Sequence, residues 1–156
     1  MKEKFISTKV FDGYSTVFRQ WRAEETHCKY LHGYGVSFII TFEGELDERN
    51  WVWDFGGMKR AKGKIDGKSP KDWMDYMFDH TLVVAEDDPY AYAFKKMDDA
   101  EVAQVRIVPA VGAERFAQFV FTKVNEFVQE ETKGRVTVKR VEFKENNKNS
   151  AIYEPR

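Results

Sequence analysis

The sequence predicts an α+β domain in which a mainly antiparallel sheet carries helices on one face. Three observations lead there. Two long strand-like runs open the chain, and in the second Val36, Phe38, Ile40 and Phe42 recur at every other position. One long segment, Ala113 to Glu131, repeats Phe116, Val120, Val124, Phe127 and Val128 at three- and four-residue steps. After it, alternating Val and Phe return. A length of 156 residues suits one domain, 1–156, with no internal repeat or low-complexity linker.

Taken in order, Lys4 to Phe18 reads as a strand rich in Phe, Ile, Thr, Val and Tyr, with Asp12-Gly13 offering a bend or bulge. Arg19 to Leu31 is polar and irregular, a loop. Gly33 to Leu46 is the second strand. Asp47 to Asn50 reads as a turn into a short strand, Trp51 to Trp53. Asp54 is a candidate N-cap for a helix through about Lys64. Ser69-Pro70 starts a second helix toward Phe78, with proline in the tolerated first turn. Asp79 to Pro89 reads as loop, Pro89 to Asp99 as a short helix and Val105 to Val108 as a brief strand. The long helix ends before Gly134. Arg135 to Phe143 is a strand whose alternation slips between Val138 and Val141, so a bulge is expected, and Ser150 to Tyr153 closes the chain. An antiparallel sheet of this kind leaves edges that other copies would cover.

Composition excludes several functions. With 25 Lys plus Arg against 26 Asp plus Glu and no basic block, nothing suggests a nucleic-acid partner. No apolar run approaches the roughly 20 residues that span a bilayer, and the first residues do not resemble a signal peptide, so a cytoplasmic location is expected. The single cysteine rules out an intrachain disulfide framework. Aromatic residues reach 15%, enough to supply both a core and a surface for a flat ligand or a subunit contact.

Three polar clusters could carry chemistry. Cys28 precedes a strand and His32 lies on it, a spacing that can pair a thiol with a helper. Asp79-His80 joins an acid to an imidazole at a helix end. Glu114 opens the long helix and Glu145 follows a strand, positions where carboxylates are usually solvated or capping. Each cluster alone is commonplace.

Together they resemble the pyruvoyl-tetrahydropterin synthase family, particularly the 6-carboxytetrahydropterin synthases of the queuosine and deazapurine pathway. Cys28 to Gly33 reproduces all but the last letter of the family's Cys-three-residues-His-Gly-His element. Val52-Trp53-Asp54-Phe55 matches a Val-x-Asp-Phe motif, with Met58-Lys59 in place of Leu-Lys. Asp79-His80, then Glu114 with Phe116-Ala117, then Glu145 with Ala151 and Tyr153 follow in family order across nearly the whole chain. The resemblance implies the tunnelling fold, ββααββ protomers whose sheets form an oligomeric barrel, commonly a homohexamer with active sites between subunits. It implies a pterin substrate, 7,8-dihydroneopterin triphosphate. By that carry-over Cys28 is the proton-abstracting base, Asp79 and His80 its relay, Glu145 the grip on the pterin amino and ring N–H groups, and Glu114 a secondary contact.

The family also binds zinc through three histidines, and here the pattern breaks. Tyr14 to Arg19 best matches the first-strand motif, which puts Phe18 at the first ligand position, and Tyr34 stands at the third; only His32 remains. A catalytic zinc normally needs three protein ligands, Phe18 cannot ligate, and a tyrosine ligates only as phenolate. Zinc binding is therefore expected to be weak or absent, with Phe18 and Tyr34 packed near His32. Val111-Gly112-Ala113 replaces the family's Pro-Thr-x, and Ala61 to Asp75 and Glu86 to Val108 carry extra length. The leading expectation is a metal-independent lyase acting on a dihydropterin side chain. The alternatives are a non-catalytic pterin- or purine-binding protein and an oligomeric interaction protein on the same fold.

Overall fold

A computed structural model describes residues 2–60 and 62–155. Strands β1 (Phe5–Phe18) and β2 (His32–Gly44) pair antiparallel from Phe5 opposite Gly44 to Phe18 opposite His32. Their register shifts between Phe11 and Tyr14, where Gly13 adopts φ +78°, so the expected bulge sits at Asp12-Gly13. The chain continues through one turn of helix, α1 (Gly57–Arg60), α2 (Pro70–Phe78), β3 (Thr81–Ala85), α3 (Ala91–Asp99), β4 (Gln104–Val108), α4 (Ala113–Glu131), β5 (Val136–Lys144) and β6 (Ser150–Tyr153). The sheet order is β4-β3-β1-β2-β5-β6. Its β1-β2-β5-β6 portion is antiparallel, and the shift between Thr41 and Phe42 against β5 matches the slip in the β5 alternation.

Three local expectations are corrected. Asp79 to Pro89 is not all loop: Thr81–Ala85 forms β3, which joins β1 in parallel and carries β4 in parallel on its other side. All five β3 residues are buried, so no polar alternation marks the strand. Trp51 to Trp53 forms no strand; Asp47 instead folds that stretch into a turn, its carboxylate accepting the Arg49 and Trp51 amides. The helix expected from Asp54 through Lys64 is only α1, because Asp54 accepts the Gly56 amide in a tight turn; the part of that expectation on Ala61 lies outside the described residues.

The apolar stripe of α4 and the buried side of α2 cover one sheet face, burying Phe18, Phe38, Phe78, Phe116 and Phe143 together. Full burial of such side chains contributes roughly 1.5–3 kcal/mol each. The extra length from Glu86 to Val108 becomes α3 and β4. Leu82, Val84 and Val105 pack with Ala91 and Phe94 in a small second cluster, while the alternate Val83 joins the main core. Alternation along β3 therefore places α3 over the reverse face of this short parallel arm. Among the described residues no helix is long and apolar enough to cross a membrane.

Candidate functional site

The Cys28 turn is built by its own backbone. Thr26 caps a single 3-10 turn, His27–Lys29, with its hydroxyl accepting the Cys28 amide at 3.1 Å. The Cys28 carbonyl in turn accepts the Gln20 amide at 2.7 Å, so the loop between β1 and β2 is closed where the thiol stands. The thiol is exposed.

Four residues on, His32 begins β2 and shares the helix-facing side with Tyr34 and Val36. The Tyr30 carbonyl lies 2.6 Å from His32 Nδ1, and a carbonyl only accepts, so Nδ1 carries the hydrogen. In the neutral ring Nε2 is then an acceptor, and the Tyr34 hydroxyl donates to it at 2.9 Å. Phe18 closes the trio, its ring 5.8 Å from His32 and 5.7 Å from Tyr34, and it stacks edgewise on Phe116 of α4. Tyr34 lies beside His32 as the alternation of β2 leads one to expect, and the hydroxyl-to-imidazole bond is the detail the structure adds.

Two carboxylates complete this side. Glu114 stands in the first turn of α4, where the helix dipole favours an anion. Gly112 at its N-cap has φ +114°, a conformation suited to glycine, with no side-chain cap. Glu145 follows β5 at the mouth of the hairpin to β6, its amide donating to the Asn149 carbonyl while Asn146 ties the turn. Burial pushes the Glu145 carboxyl above the usual range; His32 opposes this, and repulsion from Glu114 adds a smaller push upward. Burial, and then the nearness of Glu145 and Cys28, push the Tyr34 phenol up as well. Glu114 lines a separate groove with Ile152 and Tyr153, while Glu145 and Cys28 both lie near Tyr34. A cleft of about 460 Å³ opens there, lined by His27, Cys28, Tyr30, His32 and Tyr34.

Asp79 and His80 stand apart from it. Asp79 accepts the Ser15 amide at 3.2 Å on the flank of β1 that faces β3. Ser15 is three residues before Phe18, so at about 3.3 Å per residue the pair lies about 10 Å down the strand from His32, with β1 between. His80 ends α2 in the left-handed region at φ +53°, its Nδ1 3.1 Å from Asp79 Oδ1, and is well exposed. Within one protomer the pair makes no hydrogen bond with Cys28 among the described residues.

Three protein donors are needed for the zinc that the sequence resemblance implies. The three positions offer a phenyl ring, an imidazole whose free lone pair is taken by a hydroxyl, and a phenol held protonated. This donor set does not fit the metal. Among the described residues no other group of three His, Cys, Asp or Glu is placed to hold one.

Comparison with known proteins adds a family. A family model described as 6-pyruvoyl tetrahydropterin synthase matches residues 8–156. A candidate 6-carboxy-5,6,7,8-tetrahydropterin synthase of Pyrococcus horikoshii is 26% identical over 85 residues, 53% of this chain and 52% of that protein. The chain thus spans about half the length of that curated relative. Among solved structures, an uncharacterized protein from Wolinella succinogenes superposes with a TM-score of 0.79 at 19% identity, covering 99% of this chain and 100% of its own. The 6-pyruvoyl tetrahydropterin synthase of Caenorhabditis elegans gives 0.63 at 16% identity over 99% and 98% of the two chains. Identities this low speak for the fold alone.

Proposed function

Because this chain belongs to the 6-pyruvoyl tetrahydropterin synthase family, we propose that it binds a dihydropterin and trims its side chain. In this reading it is a lyase resembling the 6-carboxytetrahydropterin synthases, acts on 7,8-dihydroneopterin triphosphate, and works without the family's metal. The observation that carries the reading is the cleft lined by Cys28, His32 and Tyr34, with the Glu145 carboxylate near enough to push the Tyr34 phenol up.

Each residue has a chemical task. Glu145 accepts two parallel N–H groups from the pterin ring, and partial desolvation strengthens those bonds. Cys28, on an exposed and backbone-braced turn, takes a proton from a side-chain carbon as thiolate. Tyr34 donates to His32 and keeps acceptor capacity on its oxygen for a side-chain hydroxyl. Asp79 and His80 reach the thiol of a neighbouring copy rather than their own, which makes a homo-oligomer the working form. The edge of β1 before Thr16 and the outer edge of β6 are unpaired in the protomer, and both are available for such assembly.

The test is turnover of 7,8-dihydroneopterin triphosphate in the presence of a strong chelator. Product formation that survives chelation and is lost in Cys28→Ala is the expected result. Cys28→Ala should fall by about 10²–10⁴-fold, the usual scale for a general base. No product with or without added zinc overturns the lyase reading. Pterin binding without product then marks a binding protein.

A further inference from the structure

Arg19 closes the first-strand motif without a role of its own and Asp88 lies outside the motifs, yet the two make a well-buried ion pair. Arg19 Nε and Nη2 grip the two oxygens of Asp88 at 2.9 and 2.8 Å, with side-chain exposures of 18% and 2%. A two-pronged bond of this kind fixes orientation as well as charge. The guanidinium also lies over the Tyr90 ring at 5.5 Å and near Phe94 at 6.0 Å. Its third nitrogen, Nη1, donates to the Lys29 carbonyl at 3.1 Å. Lys29 is the residue after Cys28, and the Gln20 amide next to Arg19 holds the Cys28 carbonyl itself. Residues 20 and 19 therefore hold the two successive carbonyls of Cys28 and Lys29 in the turn that carries the thiol, and residue 19 is in turn anchored on the segment that follows β3.

We propose that Arg19 and Asp88 are positioning residues, and that the α3 arm serves to hold the Cys28 turn at the mouth of the cleft. Phe18 points to the helix core and Arg19, one residue on, to the reverse face of the sheet, where α3 lies. The extra length from Glu86 thus delivers Asp88, Tyr90 and Phe94 to one guanidinium. A second pair, Arg22 with Asp87 at 3.1 Å, joins the same two segments at the exposed rim. That the held thiol does chemistry rests on the function proposed above; the holding itself does not.

The single cysteine makes the test direct, since any thiol reagent reports on Cys28 alone. Hydrogen exchange and iodoacetamide alkylation are measured on the full chain as wild type, Asp88→Asn and Arg19→Lys, with Asp98→Asn as a surface control. Arg19→Lys keeps the charge beside Asp88 but loses the fork and the bond to Lys29, so it serves should Asp88→Asn not fold. The expected result is exchange about tenfold faster at the Gln20 and Tyr30 amides, a changed alkylation rate, and unchanged protection in α4. Unchanged exchange at those two amides overturns the proposal. So does acceleration spread evenly over the chain, which marks the pair as general stabilisers. With active protein, both variants lower kcat while KM stays near wild type. If the clamp opens the turn but no substrate is ever turned over, the positioning stands and the lyase reading falls.

Discussion

Phe18 decides the chemistry of this site more than any polar residue does. It is 1% exposed and packs on Phe116, at the position where the sequence resemblance implies a metal ligand. Tyr34 reinforces the change, because its hydroxyl caps the one imidazole nitrogen that a metal could use. The two substitutions make a single unit, and reversing one alone leaves two donors. Purified wild-type protein should carry no stoichiometric zinc by elemental analysis, whereas Phe18→His combined with Tyr34→His should bind about one ion per chain. Burying a second imidazole in the Phe116 layer costs about 1–3 kcal/mol, so a lower melting temperature should accompany the gain. Zinc bound to the wild type at the family position would contradict this account. His27 and His32 are the histidines nearest the thiol, and neither has the neighbours a three-ligand site requires.

At the scale of elements, the unexpected part is the short parallel arm of β3, α3 and β4. Besides the β1–β3 pairing and the packing of Val83, the buried Arg19–Asp88 pair ties it to the rest. Burial alone would raise the Asp88 carboxyl, but hydrogen bonds from Arg19 and the Tyr90 amide, with the Arg19 charge, leave it lowered. A carboxyl lowered in the folded state stabilises above its unfolded pKa of about 3.9, and that contribution disappears as pH falls through the folded value. The melting temperatures of wild type and Asp88→Asn should therefore differ most near pH 6 and converge as pH drops below about 4. A gap that persists at low pH would place the effect in packing instead. The arm also shows where the sequence could be read and where it could not. The long strands, α2, α4 and both bulges follow from local pattern, because each has a wet side and a dry side. β3 has none, and its burial on both faces erases the alternation that marks a strand. Trp51 and Trp53 have strand-like chemistry, but the Asp47 turn bends them away from any partner. The thiol, His32, Glu114 and Glu145 were legible as motif residues. The grip of Arg19 on Asp88 was not, because it joins positions 69 residues apart and has no local signature.

Across the whole molecule, the residues of the proposed site stand in two places on one sheet. Cys28, His32, Tyr34 and Glu145 gather on the β2 side, while Asp79 and His80 sit on the β3 side of β1. In the function proposed above, assembly of copies brings the two sets together, and the protomer has unpaired edges at β1 and β6. Phe5, Ile6 and Val10 on β1 and Ile152 on β6 are each between 42% and 55% exposed, more apolar surface than unpaired edges usually tolerate. Sedimentation velocity should therefore show a homo-oligomer for the wild type, and Ile152→Lys should shift it toward a folded monomer with reduced turnover. A wild-type monomer would separate Asp79 and His80 from the thiol for good. In the proposed function the cleft at Tyr34, with Glu145 nearby, holds a pterin with no metal present, and equilibrium binding to metal-stripped protein decides this. Calorimetric titration with a dihydropterin should give saturable binding that zinc does not improve and that Glu145→Gln weakens about tenfold or more. Binding that appears only after zinc is restored, or that Glu145→Gln leaves untouched, would contradict it.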